Sequence, residues 1–228
     1  MRQLPLGVRI PDRAVFDNFL PAKNLEAIEH LRRLARGEST GIVWICGPSG
    51  VGKSHLLQAA CVDANKTMSS AYFPFSELKQ LGVGALEGLS QLGCVCIDDV
   101  DLAAAQPDWE RGLFGLYREV DERAGRLVLA AQAPPSLTHW TLRDLGSRFA
   151  ASAVYQLRAL DEAEQQEALQ LRARIRGFEL PDDTARWLLR RFPRDMHTLY
   201  ELLDTLDEAA LIAQRKLTVP FIRSVLKE

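Results

Sequence analysis

At 228 residues and 47% hydrophobic content, the chain has room for one large domain or two small ones around an ordinary apolar core. Its 28 basic and 30 acidic side chains argue against a protein whose main work is coating nucleic acid. The N-terminus holds no long apolar segment, so no signal peptide or membrane association is expected, and a cytoplasmic, reducing location follows.

Residues 1–12 contain two prolines and a glycine, which exclude a helix, while Leu4, Leu6, Val8 and Ile10 alternate with other residue types. Two readings fit: an arm lying along its own sheet, or an extended peptide docking alternate side chains into another protein. After Phe16-Asp17-Asn18-Phe19-Leu20, a helix is expected from about Ala22 to Arg36, with Leu25, Ile28, Leu31, Leu34 and Ala35 on one face and Gly37 closing it. Ile42-Val43-Trp44-Ile45-Cys46 then reads as a buried parallel strand.

The strand runs into Gly47-Pro48-Ser49-Gly50-Val51-Gly52-Lys53-Ser54, and His55 to Ala60 reads as a helix. This is G-x-x-x-x-G-K-[ST] in its required setting of strand, loop and helix, the phosphate-binding P-loop. Its glycines let several backbone N–H groups converge on one anion at the positive end of a helix dipole. Lys53 would reach the β- and γ-phosphates and the Ser54 hydroxyl would ligate Mg²⁺. A nucleoside di- or triphosphate ligand is therefore expected.

Ala71-Tyr72-Phe73-Pro74 reads as a short strand and Glu77 to Leu92 as one or two short helices. Gly93-Cys94-Val95-Cys96-Ile97-Asp98-Asp99 has the shape of a Walker B segment: Asp98 would hold Mg²⁺, directly or through water, and Asp99 would orient the attacking water. Cys46, Cys61, Cys94 and Cys96 sit in apolar segments, and the strand-spaced Cys94 and Cys96 have no second pair nearby, so reduced buried thiols are expected rather than a zinc site. A helix from Trp109 to Arg123, a strand Leu127 to Ala131, a helical stretch Leu142 to Phe149 and a last strand Ala153 to Leu157 follow. Beyond Asp161 the pattern is only helical, with starts at Asp161, Pro181, Pro193 and Thr218. The expected fold class is α/β: an extended arm over 1–12, a P-loop nucleotide-binding domain with a parallel sheet over 13–157, and a small all-α lid over 158–228.

A P-loop α/β domain followed by a helical lid resembles the AAA+ class. Several strings resemble its DnaA branch: Phe16 to Phe19, Gly47 to Leu57, Ile97-Asp98-Asp99 and Leu145-Gly146-Ser147-Arg148-Phe149. The lid strings Leu169 to Arg174, Arg176 to Pro181 and Ala213 to Phe221 are similar to the Hda family of DnaA-like regulators. The resemblance implies that Arg148 is an arginine finger offered to the nucleotide of a neighbouring subunit, an element worth about 10³–10⁵ in rate in GTPases. Without that context an exposed helix arginine would be the default. It also implies that Arg194 is a sensor-2 arginine clamping the phosphates from the lid, and that Gln3, Leu4 and Leu6 belong to a peptide that binds the DNA polymerase sliding clamp. Three departures stand out: Asp195 replaces the usual Glu, Gln132 stands where initiators carry an acid, and Gly7-Val8 replaces the expected end of the clamp peptide.

The leading expectation is an ADP-bound regulator that, tethered to the DNA-loaded clamp, presents Arg148 to ATP held by DnaA and so lowers initiation. A self-contained ATPase such as a helicase loader, and an adaptor in which nucleotide serves only as structural glue, are the alternatives. No spare basic helix follows the lid, so sequence-specific DNA binding by the chain itself is not expected.

Overall fold

A computed structural model of the chain describes residues 14–193 and 195–226. Five parallel strands form one sheet in the order β2-β3-β4-β1-β5: β1 Gly41–Cys46, β2 Ser70–Pro74, β3 Cys94–Asp98, β4 Arg126–Ala131 and β5 Ala153–Gln156. The central β1 pairs with β4 from Gly41↔Arg126 to Cys46↔Ala131, and with β5 up to Cys46↔Gln156. Its continuous apolar run suits this place, because helices cover both faces. Trp44 and Cys46 join one apolar layer with Phe75, Leu113, Leu116, Tyr117 and Phe149; Val43 and Ile45 join the other, with Ile28, Leu31, Leu56 and Leu57. The period of two in a strand produces that division.

The helices that build the layers are α1 Leu25–Ala35, α2 Lys53–Ala64, α3 Phe75–Leu81, α4 Pro107–Glu122 and α5 Arg143–Ala151. The helix expected from Ala22 starts at Leu25, after a single 3-10 turn over Ala22–Asn24. Ala22 has a positive φ of 44°, and the buried Asn24 side chain turns inward to the Arg158 backbone, so the chain cannot wind regularly there. Past α3, Gly82 and Gly88, both at positive φ, break the segment into two further 3-10 turns. All four cysteines are buried and free.

A third apolar cluster, built around Leu169, Leu188, Leu203, Leu206 and Ile222, belongs to α6 Glu162–Ile175, α7 Asp182–Arg191, α8 Met196–Ala213 and α9 Val219–Leu226. A capping box opens α6: Asp161 accepts from the Glu164 N–H at 3.0 Å and Glu164 accepts from the Asp161 N–H at 2.8 Å. Arg172 grips both oxygens of Asp204, and Arg176 joins Asp204 to Asp207, binding α6 to α8. Among the described residues, no helix is long and apolar enough to cross a membrane.

Candidate nucleotide site

The carboxyl ends of β1, β3 and β4 lie at one edge of the sheet, since Ile97 is level with Leu129 and Leu129 with Trp44. In open α/β sheets this is the edge where ligands bind. Gly47 leaves β1 at φ +155, and Gly50 and Gly52 follow at +77 and +97. Gly52 caps α2 in the left-handed region with no side-chain hydrogen bond, so no cap side chain takes up the N–H groups of the first turn. This is the backbone of an anion cradle. The loop is hemmed in on two sides. A Cβ on Gly52 would stand 2.5 Å from the Phe19 ring, and one on Gly50 would stand 2.9 Å from the Asp195 carboxylate of the lid.

Lys53 is buried and its Nζ donates to the carbonyls of Gly47 at 2.8 Å and Pro48 at 3.1 Å, spanning its own loop. Pro48, Ser49 and Ser54 are open to solvent, while Val51 packs inward on the apolar layer beneath. The His55 ring turns away from the loop: Nε2 donates to the Val15 carbonyl at 3.0 Å, and the ring meets Phe19 at 5.4 Å. Burial lowers its pKa, the Val15 bond opposes that, and the Arg172 charge adds to it.

Asp98 ends β3 and is 2% exposed. Its Oδ1 accepts from the Asp99 N–H at 3.0 Å and its Oδ2 from the Tyr72 hydroxyl at 2.9 Å. Asp99 sits in the left-handed region at φ 51, an uncommon conformation for a residue with a side chain and one concentrated at functional sites. Burial raises the Asp99 pKa, with Asp98 and Asp101 adding to the rise and Lys53 opposing it. Asp101 Oδ2 accepts from the Gln132 N–H at 3.2 Å, tying the loop after β3 to the end of β4.

An ammonium, a hydroxyl, open helix N–H groups and a buried carboxylate make a donor set that fits a nucleotide phosphate with a divalent cation. Among the described residues no group of three His, Cys, Asp or Glu side chains could hold a metal ion alone. A cation bound by Ser54 and Asp98 would therefore complete its shell with phosphate oxygens and water, the usual habit of Mg²⁺.

Arg148 is exposed on α5, beside the buried Phe149. Its guanidinium lies over two rings of α4, 5.5 Å from the Phe114 centroid and 5.6 Å from that of Tyr117. Beside this platform opens a hollow of about 340 Å³ lined by Arg111, Phe114, Gly115, Arg118, Glu119 and Glu122. Gln3, Leu4, Leu6 and Arg194 lie outside the described residues.

Three side chains escape sequence reasoning. Tyr72 reads in sequence only as a strand residue, and no local signal marks it. Asn24 reads as a helix residue, yet its amide accepts from the Arg158 N–H at 2.8 Å and donates to the Arg158 carbonyl at 2.9 Å. Glu110 did leave a signal: an acid on the apolar stripe of Leu113, Tyr117 and Val120. Fully buried, it accepts from the N–H groups of Ala105, Thr141 and Leu142, and so anchors the approach to α5.

Residues 161–226 match the family model described as Hda, lid domain. This lid stretch is thus similar to that of the Hda family, while the rest of the chain shows its likeness through its fold. The fold is that of domain III of the Thermotoga maritima replication initiation protein DnaA, with a TM-score of 0.76 at 19% identity over 96% of this chain and 98% of that one. AMPPCP-bound DnaA from Aquifex aeolicus gives a TM-score of 0.69 at 19% identity, covering 83% of this chain and 64% of that chain. The chain thus spans under two thirds of that DnaA structure. The Thermotoga maritima RuvB Holliday junction branch migration motor follows with a TM-score of 0.65 at 14% identity, covering 93% and 72% of the two chains. The five-stranded parallel sheet with its helical lid is the α/β AAA+ fold.

Proposed function

We propose that this AAA+ protein binds an adenine nucleotide, ADP in its working state, and restrains DNA replication initiation by stimulating hydrolysis of ATP held by DnaA. The P-loop Gly47–Ser54 with His55, the Walker B acids Asp98 and Asp99, and Arg194 from the lid form the nucleotide site, with Mg²⁺ held at Ser54 and Asp98. Gln3, Leu4 and Leu6 tether the protein to the sliding clamp and, through the clamp, to DNA. In this reading 1–12 is the tether, 13–157 the nucleotide domain and 158–228 the lid. The AMPPCP bound by a structurally similar DnaA supports an adenine nucleotide.

One observation carries the regulatory reading: the described contacts of the Arg148 guanidinium are to Phe114 and Tyr117, at an exposed rim, and not to its own P-loop. A planar cation presented outward on an aromatic shelf suits a phosphoryl group on a neighbour. The test measures DnaA ATP hydrolysis with DNA-loaded clamp and this protein. Arg148→Ala is expected to keep ADP affinity and clamp binding yet lose nearly all stimulation, and Arg148→Lys to lose almost as much, because a point charge lacks the guanidinium fork. Severalfold weaker ADP binding by Arg148→Ala would place the residue in cis and overturn the reading. Full stimulation would move the finger elsewhere, with Arg143 on the same helix the next candidate.

A further inference from the structure

We infer that Tyr72 is a positioning residue of the cation site, a role that rests on the nucleotide reading above. Tyr72 is the middle residue of β2 and pairs with Cys96, while Pro74, two residues on, pairs with Asp98 across the neighbouring strand, so the phenol reaches the carboxylate diagonally. The hydroxyl donates to Asp98 Oδ2 at 2.9 Å, and the side chains of Gln58 and Ser54 interact with the same hydroxyl. One phenol thus links the exposed serine of the P-loop to the buried carboxylate at the end of β3. These are the two side chains assigned above to a divalent cation.

The bond has a directional consequence. Asp98 is 2% exposed, so solvent does not steady its carboxylate; the Asp99 N–H holds one oxygen and Tyr72 the other. Remove the phenolic hydroxyl and Oδ2 of this nearly unexposed carboxylate loses its donor. The carboxylate then turns more freely and is poorly aimed at the cation. Partners that orient a metal-facing carboxylate typically control about 10–100-fold in metal affinity. Bare phosphate recognition depends instead on Lys53 and the loop N–H groups, which Tyr72 does not touch.

The test is ADP binding to the full chain by calorimetry, in EDTA and across a MgCl₂ series, for the parent and for Tyr72→Phe, which keeps the ring and removes only the hydroxyl. The expected result is an EDTA affinity within about twofold of the parent and a half-saturating Mg²⁺ concentration raised about tenfold. On an Asp98→Asn background, Tyr72→Phe should shift the Mg²⁺ midpoint no further, since the two groups act as one unit. Superimposable Mg²⁺ curves overturn the inference, as does equal weakening in EDTA and in Mg²⁺, which marks a general packing role. A parent protein that binds ADP with no Mg²⁺ dependence overturns this inference together with the cation assignment of Ser54 and Asp98. A parent that binds no ADP overturns the nucleotide reading itself.

Discussion

At the scale of single residues, the buried polar groups show how the site is held. Glu110 is fully buried and accepts three backbone N–H groups from two separate segments, Ala105 on one side and Thr141 and Leu142 on the other. Bonds to a charged acceptor are the strong ones, and a buried donor left without a partner costs about 1–3 kcal/mol. Glu110→Ala opens a small cavity and orphans all three donors, so a loss of about 3–5 kcal/mol is expected in urea unfolding. Glu110→Gln should lose less, because its amide oxygen still accepts. A change below about 1 kcal/mol for the alanine variant would show that the loop has other acceptors to turn to.

At the scale of elements, the segment before α1 and the helix after the P-loop form one unit. Phe19 packs on Gly52 and His55, and His55 donates to Val15. Gly52 therefore serves twice, supplying a left-handed cap for α2 and room for the Phe19 ring. Burial lowers the His55 pKa, and burial with the Arg33 charge also lowers the His30 pKa, against Glu26. Below the ordinary histidine value near ~6.5 the unfolded chain takes up protons that the folded state refuses. That contribution is complete above this pH and is lost as pH falls from it toward the lowered folded value. Unfolding free energy should accordingly drop between pH 7.5 and 5.5, and His55→Gln should flatten part of the slope. A parent and a variant with identical slopes would remove His55 from this linkage.

At the scale of the whole molecule, a few polar contacts fasten the lid helices to the sheet. Asn24 holds both backbone groups of Arg158, next to the point where the chain leaves β5 for α6. Lys23 reaches Asp161 at 2.9 Å and Glu164 at 3.2 Å in the first turn of α6, an exposed pair of modest worth. The buried amide is the stronger fastening. Asn24→Ala should raise hydrogen exchange in α6 while β1 and β4 keep their protection, because the lid has its own apolar cluster. Uniformly faster exchange across sheet and lid would instead make Asn24 an ordinary core residue.

Much of this architecture was legible in the sequence because its determinants are local. The period of the apolar residues places β1, β3 and β4, and glycine spacing with Lys53 and Ser54 encodes the P-loop, since only glycine accepts the positive φ found at 47, 50 and 52. The capping pair Asp161 and Glu164 marks the start of α6 within four residues of chain. The start of α1 shifted because a distant partner intervened at Asn24, whose amide is claimed by Arg158, 134 positions away, while α3, α4 and α8 begin two or three residues from their expected starts. Tertiary structure alone decided which side chains meet across such separations: Tyr72 with Asp98, Glu110 with Thr141 and Leu142, Arg148 with the rings of α4, and Asp195 with the P-loop. Periodicity tells a side chain which face of its own element it occupies. Which neighbour it finds there depends on strand order and register, and in this sheet the order 2-3-4-1-5 sets β2 beside β3 and so lays Tyr72 against the carboxylate that ends it.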